Sequence, residues 1–217
     1  MDIITWLQQQ AETIARRGSA VHEEIARLVA GASARVQDVA GGLAGIARAV
    51  VEGAAKGAER ASADDQERVL RAVVDGIADG FEITAQAARL ALAEAATNAA
   101  RFVREDVDRL TLELRDLPDK VASVVADAGV RVLKHGAEQG RTLAEHAGIA
   151  LRRSLPAIEA ALASAREHPG ELLKQGGMAV RGAAGGLFSA LAQHLDRLGA
   201  RLKGEDGGTP PAGPASS

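Results

Sequence analysis

Apolar positions recur every 11 residues through the middle of the chain, most cleanly as Leu70, Phe81, Leu92, Val103, Leu114 and Val125. A second column runs beside it through Ile77, Ala88, Ala99, Leu110, Val121, Val132 and Leu143. Eleven residues make about three turns of α-helix, so this period holds one face apolar along a long and almost unsupercoiled helix. No stretch alternates with period two, and the pattern predicts an all-α protein: an elongated bundle of long amphipathic antiparallel helices.

Local signals divide the pattern. Ile3 to Arg17 reads as a first helix ended by Gly18, with Ser19 capping the next. A second helix is expected from about Ala20 to Arg60, with Val21, Ile25, Leu28, Ala32, Val36, Val39, Leu43, Ile46 and Val50 as its stripe. Ser62-Ala63-Asp64-Asp65 has the form of a capping box and opens a third helix reaching about Asp116. Breaks are placed near 18, 62, 118, 155 and 169, and a last helix runs from about Glu171 to Lys203. The columns nevertheless pass Pro118 in phase, as they also would in a kinked, continuous helix. Residues 1–203 form the helical domain on this reading. The segment from Gly204 to Ser217 has no apolar period and is expected to be a disordered tail dispensable for folding.

Composition makes the expected core thin. Alanine is roughly a fifth of the chain, cysteine and tyrosine are absent, and the aromatics are Trp6, Phe81, Phe102 and Phe188. Alanine favours helix but buries little area, so tight packing is weakly specified. Glycines spaced four apart (Gly41/Gly45, Gly53/Gly57, Gly76/Gly80, Gly136/Gly140, Gly182/Gly186) permit close helix approach, loosen the helices that carry them for refolding on a surface, or reflect the glycine-rich composition. The first 128 residues hold 21 acids and 15 bases, and residues 129–203 hold 11 bases and 6 acids, an asymmetry that favours folding the chain back on itself. An acidic column at Glu94, Glu105, Asp116, Asp127 and Glu138 reads as the solvated face.

Chemical motifs are few. No Glu-x-x-His pair, His-Glu-x-x-His zinc motif, nucleophile elbow or phosphate loop is present, and His22 with Glu23 and Glu24 reads as a helix-start cluster rather than a metal site. The expectation is therefore a protein without catalytic, cofactor-binding or metal-ligating residues. There is no basic block for nucleic acid, no segment apolar over the roughly 20 residues a span requires, and no secretory leader at Met1 to Trp6, so the chain is expected in the cytoplasm or peripheral on a granule or membrane. The arginine and alanine usage suggests a bacterial source.

The apolar columns at Leu70 to Val125 and Ile77 to Leu143, the alanine richness and the low-complexity tail resemble phasins, which coat bacterial polyester granules, and more broadly apolipoprotein-type helical proteins. The stretch from Val69 to Ala95 is also similar to uncharacterised bacterial helical proteins. The resemblance implies a non-enzymatic, surface-active protein whose face at Leu70, Ile77, Phe81, Leu92, Val103, Leu110, Leu114, Val121 and Val125 lies on a granule or lipid-like surface, with Trp6 and Leu7 assisting insertion. The alternative is a structural or scaffold bundle acting through homo-oligomerisation or partner helices, its stripe permanently buried.

Overall fold

A computed structural model describes residues 2–97, 104–132, 137–167 and 186–205. Among them are seven α-helices and no strand: α1 (Ile3–Arg17), α2 (Val21–Ser33), α3 (Gly42–Ala58), α4 (Ala63–Thr97), α5 (Arg104–Val132), α6 (Ala137–Glu167) and α7 (Gly186–Glu205). The tail from 206 on lies outside the described residues, and α7 carries helix two residues past the expected boundary at Lys203. None of the described helices is long and apolar enough to cross a membrane.

The ends of α1 follow their local chemistry. Asp2 sits in an extended conformation and its Oδ1 accepts from the Ile4 N–H at 3.4 Å, while Gly18 takes the left-handed conformation that only a residue without Cβ adopts freely. Ser19 does not cap α2; Ala20 stands at that position with φ of 50° and provides no side-chain cap. At α4 the capping box forms as expected, with the Asp65 N–H donating to Ser62 Oγ at 3.2 Å. Hydrogen bonds from Arg68 first, and then from Ser62, hold the Asp65 carboxyl below the usual carboxylate range.

The expected helix from Ala20 to Arg60 is two helices. The chain leaves α2 at Ala34, makes a 3-10 turn at Val36–Asp38 and turns again through Gly41 and Gly42, both at positive φ. Val36 and Val39 stay buried through this turn, which is why the apolar stripe reads as continuous in the sequence. The Leu43 N–H in the buried first turn of α3 is satisfied from a distance: it donates to Glu113 Oε2 on α5 at 3.1 Å. A Cβ on Gly42 would occupy the place of that carboxylate.

The long third helix also divides, into α4 and α5, so that the main column continues from one helix to another. The breaks expected near 118 and 155 do not occur, because α5 passes through Pro118 and α6 through Pro156. A proline inside a helix costs about 3 kcal/mol. Leu110, Leu114, Leu117, Val121 and Val125 are all buried around Pro118, and at about 1.5 to 3 kcal/mol for each large side chain their burial outweighs that cost. The break near 169 lies outside the described residues.

Glycine contacts set the helix order. Gly53 packs on Gln8 and Gly57 on Glu12 and Ala15, so α1 and α3 meet with steps of four residues in the same direction and run parallel. Gly76 on His22 and Ile25, followed by Gly80 on Ala26 and Val29, makes α2 and α4 parallel in the same way. The chain must return between the members of each pair, so successive helices here are antiparallel. A Cβ at Gly53 would stand 2.8 Å from the Gln8 Cα, and one at Gly80 would stand 2.7 Å from the Val29 Cβ. Of the three readings open to the spaced glycines, Gly53/Gly57 and Gly76/Gly80 therefore perform close packing.

Replacing Gly53 by alanine gains up to about 1 kcal/mol of helix preference, but the new methyl meets backbone that cannot swing aside. Gly53→Ala should therefore lower the unfolding free energy by about 1 to 3 kcal/mol in urea titrations, the usual range for overpacking. Gly31→Ala, on exposed helix with open space at the Cβ, should be neutral or stabilising in the same assay.

Candidate functional site

The nine-residue apolar face is divided between two helices. Leu70, Ile77, Phe81 and Leu92 descend along α4, and Leu110, Leu114, Val121 and Val125 along α5. Val103 lies outside the described residues. The eight described members are exposed by 2 % or less and belong to one continuous core. Leu143 extends the second column onto α6 and is buried as well. The face expected to seek an external surface is covered by the chain's own helices.

α4 is the centre of that core. It packs against α2, α3, α5, α6 and α7, and its inward positions alternate bulk with alanine: Val73, Val74, Ile77, Phe81 and Leu92 beside Ala78, Ala85, Ala88 and Ala91. Thr84 is buried among them, and its hydroxyl donates back to the Gly80 carbonyl at 2.8 Å. α7 closes one side with Leu187, Phe188, Leu191 and Leu195, and the Arg109 guanidinium of α5 lies 6.0 Å from the Phe188 ring centroid. Leu7 is fully buried, whereas Trp6 is 41 % exposed, so only one of the two residues expected to insert into a surface faces solvent.

A polar feature that the sequence did not reveal runs along α4. Three of its acids each meet a histidine from a different helix: Asp79 with His22 of α2 at 2.7 Å, Asp75 with His146 of α6 at 3.3 Å, and Glu94 with His194 of α7 at 3.4 Å. Asp75 also receives Arg153 Nη2 on its other oxygen at 2.5 Å. The buried His146 Nε2 lies beside the Asp75 carboxylate without a well-aligned hydrogen bond. His22 is thus engaged 57 residues away, while the neighbouring Glu24 pairs with Arg17. Asp75 and Asp79 share one helical face by their spacing of four, a trace of this arrangement that can be read in the sequence. Of the acidic column, Glu94 serves this network and Asp116 pairs with Arg115 and Lys120. The Arg115 hydrogen bond holds the Asp116 carboxyl low. Among the described residues no group of three histidine, aspartate or glutamate side chains is placed to hold a metal ion.

A family model, described as a family of unknown function (DUF6781), matches residues 4–197, and the chain belongs to that family. No curated protein and no solved structure matches it. The match ends inside α7, so it takes in the whole column and all three histidine–acid pairs.

Asp75 serves two partners, and its removal leaves the buried His146 nitrogen with no acid beside it. Asp75→Ala should cost about 1 kcal/mol or more, and Arg153→Ala, at an exposed position, at most about 1 kcal/mol. A double-mutant cycle read by urea unfolding checks the ordering, and equal effects would show that the His146 contact contributes nothing.

Proposed function

We propose that this member of the DUF6781 family acts as a folded helical scaffold, using its apolar columns to hold its own bundle together and its solvent-facing helices to meet protein partners. The observation that carries this reading is the burial of all eight described column residues in a single core. A face already sealed by α2, α3, α6 and α7 has no need of a lipid, polyester or second chain to cover it. The backbone contacts at Gly53, Gly57, Gly76 and Gly80 support it further, because they tie the first four helices into one specific arrangement. Polar contacts support it also: Arg153, His146 and His194 of the base-rich half meet acids of α4 in the acid-rich half.

The second reading is the phasin-like coat, in which the bundle opens and its columns transfer to a granule or lipid surface. One observation favours it. α6 contributes Ala147, Ala150 and Ala161 to the core beside Leu143, Leu151 and Ile158, and alanine buries little area, so lifting α6 away exposes less apolar surface than an ordinary helix would.

Leu92→Glu separates the two. With Leu92 2 % exposed, a carboxylate there is buried without a partner, and in the scaffold the variant should lose cooperative melting and helical signal in plain buffer. Wild type should stay in the unbound fraction when mixed with phosphatidylcholine vesicles or polyester particles and floated on a gradient. A soluble, helical Leu92→Glu protein, together with a wild type that floats with the particles, would reject the scaffold in favour of the coat.

A further inference from the structure

Between α5 and α6 runs a groove of about 490 Å³ lined by Arg115, Pro118, Asp119 and Ala122 on one wall and Gly148, Leu151, Arg152 and Leu155 on the other. Its volume falls within the usual range for small-molecule sites, and five of its eight lining residues are apolar or glycine while three are charged.

The glycine in this groove differs from those that pack the first four helices. At Gly53, Gly57, Gly76 and Gly80 a Cβ would collide with a neighbouring helix, whereas at Gly148 it would meet nothing within 4 Å. Helix packing therefore does not require a glycine in the middle of α6. What its missing side chain leaves is the open space of the groove. Pro118 stands on the facing wall, where it withholds a backbone N–H.

The charges define the occupant. The Arg152 Nε–H donates to the Gly148 carbonyl at 3.1 Å, which fixes the guanidinium at the rim and leaves its terminal nitrogens for an anion. Arg115 is partly engaged by Asp116, and Asp119 places a carboxylate on the same wall. With Arg115 committed to Asp116, Arg152 is the guanidinium offered to an anion, one positive charge for one negative. Leu112 of α5 and Ile149 of α6, 49 % and 59 % exposed, lie outside the groove lining.

The geometry points to a binding site for a monoanionic amphiphile in the α5–α6 groove, its head on Arg152 and its hydrocarbon chain on the half-buried Pro118, Ala122 and Leu155. The site is independent of the scaffold reading, because it uses the outer surface of the bundle and none of the column residues.

Laurate below its micellar concentration is the probe, followed by isothermal titration calorimetry on the full chain, with dodecyltrimethylammonium and dodecanol as charge controls and phosphatidylglycerol vesicles as the lipid arm. Laurate should bind at one site per chain, at least tenfold tighter than either control. Arg152→Gln, at an exposed position, should weaken laurate about tenfold and leave dodecanol unchanged. Gly148→Leu should fill the groove and abolish binding while circular dichroism and melting temperature are held or raised. Equal affinity for all three amphiphiles, undiminished laurate binding in Arg152→Gln or in a folded Gly148→Leu, or binding to vesicles without binding to monomeric laurate would each overturn the proposal. If Gly148→Leu loses its helical signal, the Arg152→Gln titration decides alone.

Discussion

Helices that carry alanine where most cores carry leucine bury useful area only if their backbones come close, and the remaining architecture follows from this constraint. The closest approaches fall at the glycines: Gly53 and Gly57 admit α1 to α3, and Gly76 and Gly80 admit α2 to α4. Both pairs are parallel and interleaved in the chain, so fixing one helps to place the other. The bulky members of α4, chiefly Leu70, Ile77, Phe81 and Leu92, are then enclosed by neighbours already held in register. A close glycine contact also adds specificity that a thin apolar core lacks, since a helix shifted by one residue would bring side chains against backbone.

The second half of the bundle solves the same problem with charge. α6 and α7 bring histidines and an arginine to acids on α4, and Glu113 of α5 supplies a carboxylate to the start of α3. Pairs this exposed contribute about 1 kcal/mol or less each. Their effect is orientation: Asp75 alone engages His146 and Arg153, two residues seven apart on α6, and so constrains both the rotation and the height of that helix.

Much of the fold was legible because burial follows period. The eight described members of the apolar face are buried, and α1 begins and ends where its cap residues require. The errors have two physical sources. At Val36 to Gly42 the turn is itself buried, so the apolar stripe crosses it without interruption and only the Gly41-Gly42 pair marks the change of direction. At Pro118 and Pro156 the local rule was outweighed by burial along the rest of each helix. The histidine–acid pairs were legible only in part, because Asp75 and Asp79 show their common face but the histidines of the three pairs lie 57 to 100 residues from their acids. The α5–α6 groove gave no signal in sequence, since a helical glycine reads the same whether a backbone or open space lies beyond it.

That contrast among glycines separates the fold from the surface it presents. Where a glycine touches backbone, packing explains it fully, and its replacement is paid in stability. Gly148 has no such explanation, and a mid-helix glycine without a contact weakens its helix by about 1 kcal/mol relative to alanine. The bundle nevertheless keeps α6 helical on both sides of it, through buried Leu143, Ala147, Ala150 and Leu151. The apolar columns can therefore be committed to the interior while the outer faces of α5 and α6 still offer hydrocarbon and a guanidinium to a ligand. Burying the columns and binding an amphiphile draw on different residues of the same helices, so a closed bundle does not preclude affinity for apolar molecules.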